Sequence, residues 1–285
     1  MSATQELTVI MADPGFQGSV PHGPRTSVLS LGAAGSLDVR RSKANYFVFT
    51  SASELEPVAK LVHDANSIHR LRALFVRADV DCTWFLPMFE RANLRALRNT
   101  LVHTSPAIPQ RVMHAWQIGA QDQLIADATV ADDRLLVRNC ALESFELGFE
   151  DLPALARLPM SERQEFTVDP DGSYLHWDSG DTHVGLDMIR SAIEPKYRET
   201  SLLQRLAFDR RFGAAVKSTR LDHSLRQSDI PGLSARQVSR IESGSGAPRH
   251  DTLRKIAAAH SLSVSAYLDD IAERLADTPV HMSAG

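Results

Sequence analysis

Cysteine is nearly missing from this chain of 285 residues: Cys82 and Cys140 stand far apart and form no C-x-x-C. That leaves out a thioredoxin-like or zinc-ribbon spacing. It suits a reducing compartment in which both are small core residues. Long apolar runs are also missing. None approaches the roughly 18 residues that a spanning helix needs. The first twenty residues carry neither a basic n-region nor an apolar h-region, so the expectation is a cytoplasmic protein with no membrane partner. No glycine-rich phosphate loop is present, because "GSVPHGP" lacks the Lys-Ser/Thr of a P-loop and no other segment offers one. No internal repeat is visible. These absences point away from an enzyme built on a nucleotide cofactor, and no cofactor is expected.

The charge is scarce on balance but uneven in place. The chain carries a formal −4. From Arg210 to Lys255, ten Lys/Arg face four acids, giving +6 and leaving −10 for the remainder. A basic module therefore belongs to an otherwise acidic chain.

The pattern along the chain predicts an α+β protein in four parts. Residues 1–43, rich in Gly, Pro, Ser and Ala, read as a loose tail with one short strand at "TSVLSL". Residues 44–109 read as a helix-rich α/β region: "NYFVFT" as a buried strand, Ser53 with Glu56 as a capping box, and "SIHRLRALFVRA" and "MFERANLRALRNTLV" as helices, with Leu94, Leu97 and Leu101 on one face. Residues 110–196 read as a small antiparallel α+β domain with strands at "RVMHAWQI", "LIADATV", "LLVRNC" and "SFELGF". "ADD" suits a hairpin, "EDLPALARL" a short helix, and Asp169-Pro170-Asp171-Gly172 a tight turn joining "EFTV" to "SYLHW". "GLDMIRSAI" starts a helix. Residues 200–276 read as all-helical, and "SLLQRLAFDRRFGAAVKSTR" suits one long helix or two.

"SARQVSRIESG" carries the most chemistry. Leu233, Val238 and Ile241 make a buried stripe. Ser234 and Gln237 complete S-x-x-Q at one end, and Gly244 closes the other. The outward positions are Ala235, Arg236, Gln237 and Arg240, with Ser239 beside them and no acid before Glu242. Arginine can bind guanine, and glutamine adenine, through two hydrogen bonds each.

Residues from about 211 to 275 resemble the lambda-repressor-like helix-turn-helix family of the Cro/XRE type, through "GLSARQVSRIESG", Pro248, "TLRKIAAAHSLS" and Tyr267-Leu268. The resemblance implies a transcriptional regulator, of repressor type, that places residues 234–243 in the major groove of double-stranded DNA as a homodimer. It implies base contacts from Ala235, Arg236 and Arg240. Gln227, Gln237, Ser239, Arg249 and His250 become contacts to the DNA backbone, and Arg220 with Glu242 an internal structural pair. The stretch from Gln227 to Ser234 is about three residues shorter than the family's pattern, so the second helix should lose about one turn. The residues before it, "LPALARLPMSERQEFTVDPDGSYLHWDSGDTHVGLDMIR", resemble a small bacterial domain often fused upstream of such modules, which adds architecture without chemistry. A second reading makes the protein an antitoxin-like operon subunit whose N-terminal body binds a protein partner.

Two further clusters remain. His176, Asp178, Asp181 and His183 flank one turn but match no zinc spacing, so no metal is expected there. Asp79 and Asp81 beside Cys82 are explained by strand-like alternation in "VDVDCTW" rather than by catalysis.

Overall fold

The computed structural model describes residues 6–13, 23, 25–35, 37–78, 85–94 and 98–277. The fold is mixed α/β, and it divides into two compact units, Met1–Ile193 and Glu194–Gly285.

The first unit is built on a parallel sheet of β1 (Leu7–Met11), β2 (Thr26–Ser30), β3 (Asn45–Ser51), β4 (Leu71–Arg77) and β5 (Thr100–His103) in the order β2-β1-β3-β4-β5. Short helix α1 (Leu31–Ala34) follows β2, with Ser30 capping it through the Ala33 amide. Helices α2 (Leu55–Ser67) and α3 (Phe85–Arg91) cover one face, where Val58, Val62 and Phe89 meet Ile10, Tyr46, Val48, Leu74 and Val76. Helix α4 (Ala107–Ile118) covers the other, where Val112, Met113 and Ala115 meet Leu7, Val9, Phe47, Phe49 and Phe75. A strand covered on both faces is apolar throughout rather than alternating.

Four sequence expectations are corrected, and that rule accounts for those at β1 and β4. The expected loose tail supplies β1, which lies inside the sheet between β2 and β3. "LRALFVR", expected to be helical, is β4, whose leucine spacing mimics a helix because both of its faces are buried. "MFERANLRALRNTLV" splits between α3 and β5, so Leu94 and Leu101 join opposite faces of the sheet, and Leu97 lies outside the described residues. "RVMHAWQI", expected to be a strand, lies in α4, where Pro109 is tolerated in the first turn and Gly119, in the left-handed region at φ 73°, ends the helix. The Ser53/Glu56 box does not form either. A 3₁₀ turn at Ala52–Glu54 precedes α2, and Glu56 pairs with Arg91 at 3.2 Å.

Two three-stranded antiparallel sheets complete this unit. One contains β6 (Ile125–Ala131), β7 (Arg134–Asn139) and β8 (Ser144–Gly148). Asp132 and Asp133 both take positive φ in its two-residue turn, the backbone that a tight hairpin demands. The other contains β9 (Phe166–Val168), β10 (Tyr174–Trp177) and β11 (Thr182–Gly185), followed by α5 (Leu186–Ile193). Gly172 closes the Asp169 turn at φ 83°, and a Cβ there would stand 2.4 Å from the Ile125 carbonyl oxygen. "EDLPALARL" contributes 3₁₀ turns at Phe149–Asp151 and Leu155–Arg157 in place of one helix. Buried Arg111 on α4 donates twice to the Ala126 carbonyl, at 3.0 and 2.7 Å, tying the helix to β6.

The second unit contains α6 (Pro195–Asp222), α7 (Ala235–Glu242), α8 (His250–Ala259) and α9 (Val264–Asp277). "SLLQRLAFDRRFGAAVKSTR" thus belongs to one 28-residue helix. Val216, Val238, Ile241, Ile256, Tyr267 and Ile271 form its core. Helices α6 and α7 cross at Gly213, where a Cβ would lie 2.4 Å from the Ile241 oxygen and 2.7 Å from that of Glu242. Backbone cannot retreat as a flexible side chain can. Gly213→Ala is expected to cost about 1–3 kcal/mol through overpacking, despite alanine's better helix propensity. Urea unfolding should show the lowered midpoint, and an unchanged or raised midpoint would refute the tight crossing. Among the described residues, no helix is long and apolar enough to cross a membrane.

Candidate nucleic-acid interface

Helix α7 has two defined ends. The Ser234 hydroxyl accepts from the Gln237 amide at 3.3 Å, and the Gln237 Oε1 accepts from the Ser234 amide at 2.8 Å. This reciprocal pair satisfies donors that the first turn leaves without helical partners. At the other end, Gly244 takes φ 71°. Its N–H donates to Ile241 and that of Ser245 to Arg240, at 3.0 and 2.9 Å, the two bonds of a Schellman ending. A Cβ on Gly244 would also lie 2.6 Å from the Arg210 backbone, so the glycine is needed for close approach to α6 as well.

Val238, Ile241 and Glu242 point inward from α7, and Ala235, Arg236, Gln237, Ser239 and Arg240 are exposed. Arg236 and Arg240 stand one turn apart, about 6 Å along the axis. Neither side chain takes an ion pair or hydrogen bond among the described residues, nor does that of Arg249. By contrast, Arg254 and Lys255 on α8 are engaged by Asp251. Gln237, Arg240, Pro248 and Arg249 line an open cleft of about 490 Å³ between α7 and the loop into α8. Arg249 and His250 are exposed at the start of α8, where the helix N-terminus adds partial positive charge. The expected base-contact residues and Gln237, Ser239, Arg249 and His250 thus all lie at exposed positions on α7 or at the start of α8.

Gln227 is placed differently. Its Nε2 donates to Glu242 Oε2 at 2.8 Å, inside the unit. Arg220 binds the same carboxylate through Nε at 2.5 Å and Nη2 at 3.1 Å, and its Nη1 reaches the Leu225 carbonyl at 2.5 Å. The expected Arg220–Glu242 pair is therefore a three-residue network, its ionic side chains 7% and 3% exposed. Burial alone would raise the Glu242 carboxyl. The bonds from Arg220 and Gln227 and the charges of Arg220 and Lys217 outweigh it and hold the group below its ordinary value. Arg220 is correspondingly held above its ordinary value, chiefly by its bond to Glu242. The segment carrying Gln227 is a single 3₁₀ turn, Gln227–Asp229, because Asp229 caps the Arg226 amide and Pro231 disfavours helix at Ile230. The segment expected to form a shortened second helix is thus a single 3₁₀ turn.

Sequence reasoning missed the third member of this network and the Gly213 crossing. A glycine inside the helical pattern "RRFGAAV" was the available signal for the crossing. In the first unit, Asp79, Asp81 and Cys82 lie outside the described residues. Cys140 is buried and its thiol is pushed up to about 12 by that burial, with Arg111 opposing, so it is protonated and inert at neutral pH.

No protein-family model, no curated protein and no solved structure matches the chain.

Proposed function

We propose that the chain is a sequence-specific double-stranded DNA-binding protein, a transcriptional regulator of repressor type. Helix α7 enters the major groove and the second unit acts as a helix-turn-helix module. The observation that carries this reading is the exposed pair Arg236 and Arg240, held by no internal partner on a helix with both ends capped. A helix that short reads few base pairs. Binding two half-sites about one DNA turn apart as a homodimer supplies the missing specificity. Base edges are read from α7. Arg249, His250 and the N-terminus of α8 meet phosphates, which set position without reading sequence.

A homodimer needs a second surface, and α6 offers one. Leu202, Leu203 and Leu206 are exposed along its N-terminal half, and we assign them to a second copy of this chain. Leu202→Asp with Leu206→Asp is expected to leave a folded monomer by light scattering and to weaken operator binding at least tenfold. A wild-type chain that is itself monomeric at micromolar concentration, on or off DNA, refutes the assignment. Under the second reading, the N-terminal body binds a protein partner instead, and stable capture of a different protein by the first unit, Met1–Ile193, would favour it.

Selection of bound duplexes from a random pool tests the whole proposal. The expected result is an inverted repeat with half-sites about one turn apart. Enrichment of no sequence would overturn it.

A further inference from the structure

The β10–β11 hairpin brings together a cluster that the DNA-binding reading leaves unused. His176 and His183 are direct cross-strand partners, and their rings stack 4.4 Å apart at an interplanar angle of 18°. The Ser179–Asp181 turn between the strands is tight, with Gly180 at φ 68° and Asp181 at φ 47°. It carries the Asp181 carboxylate back over the pair. Asp181 Oδ1 lies 3.5 Å from His176 Nε2 and 3.7 Å from His183 Nδ1. On the other side of the ring, His176 Nδ1 faces Asp178 Oδ1 at 3.5 Å.

One ring nitrogen of the pair is turned to Asp181 without a hydrogen bond. His176 Nε2 is buried and has no hydrogen-bond partner among the described residues. Leaving a polar atom so is costly. One donor atom each from His176, Asp181 and His183 already lies within 4.8 Å of the others. Tetrahedral ligands about 2.0–2.1 Å from zinc stand roughly 3.4 Å apart. Side-chain rotation in an exposed turn can supply the remaining contraction.

We propose that His176, His183 and Asp181 form a binding site for a first-row divalent cation of the zinc type. His176 binds through Nε2, and Asp178 orients that ring through Nδ1. Two imidazoles select zinc, nickel or copper over magnesium and calcium, which prefer all-oxygen sites. A carboxylate on the far nitrogen of a ligating histidine is the usual way its ring is held. Three protein ligands leave a fourth position for water or an exchangeable ligand. Bound metal would pin the hairpin turn to both strands. The proposal does not depend on the DNA-binding reading.

The test is titration of tag-free, chelator-treated full-length protein with zinc chloride, followed by calorimetry and thermal melting. One equivalent is expected to bind at micromolar concentration or below and to raise the melting temperature. His183→Ala, at an exposed position, should keep the fold and weaken zinc binding at least tenfold. Asp178→Asn should weaken it about 10-fold or more through lost orientation of His176. Magnesium chloride should give no such binding. Absence of the one-equivalent event overturns the site, as does unchanged zinc affinity in His183→Ala, which would place the binding among the other histidines of the 11 in this sequence. Magnesium binding of equal strength overturns the assigned metal class.

Discussion

Glu242→Ala is expected to destabilise the helical unit by about 3–5 kcal/mol, the cost of leaving one partner of a buried ion pair behind. Arg220 would keep only its bond to the Leu225 carbonyl, and the Gln227 amide would lose its acceptor. For a unit of this size the helical melting midpoint should fall by about ten degrees or more. Replacing Arg220 by Met and Glu242 by Leu together should recover much of the loss, because the cost lies in the orphaned charge rather than in a missing attraction. The effect should also depend on pH. The Glu242 carboxyl is held below its ordinary value of 4.5 in the folded chain. The folded state therefore binds that proton less readily than the unfolded state. The stabilisation is fully present above the unfolded value and is lost as pH falls through the folded one. The gap between wild type and Glu242→Ala should accordingly be widest near neutral pH and shrink below about pH 4. A variant that melts like wild type and loses only DNA affinity would refute the structural role.

Arg236→Ala and Arg240→Ala are each expected to cost about 1–3 kcal/mol on the selected site, five-fold to more than a hundred-fold in affinity. Each should relax the preference at one or two base positions, because both side chains extend from the same exposed face without internal partners. Arg249→Ala should differ in kind. It should weaken selected and scrambled duplexes by similar factors and flatten the salt dependence by about one unit of slope, since a phosphate contact carries no base information. Binding to both duplexes at several salt concentrations separates the two outcomes. An unchanged selected-to-scrambled ratio in both α7 variants would show that another surface reads the DNA.

The sequence by itself determined what depends on neighbours a few residues away. Ser234 with Gln237 and the Gly244 ending are local hydrogen-bond patterns, so α7 was legible with its boundaries and its exposed arginines. The Asp132-Asp133 and Asp169–Gly172 turns were legible for the same reason. Only the tertiary structure decided the rest. Strand β1, the short apolar run Leu7–Met11, is easily lost beside the Gly- and Pro-rich stretch that follows it, and its place inside the sheet is set by β2 and β3 pairing with it on either side. Strand β4 resembles a helix until both of its faces are seen to be covered. Gln227 looked outward until folding brought it within 2.8 Å of Glu242, fifteen positions away. The sequence groups His176 and His183 around one turn, but strand register is what sets them directly opposite each other with their rings stacked. Backbone preferences and capping act over one turn of chain, whereas burial and strand pairing act between segments that are distant in sequence, and that second set of forces turned a residue pattern into this fold and its sites.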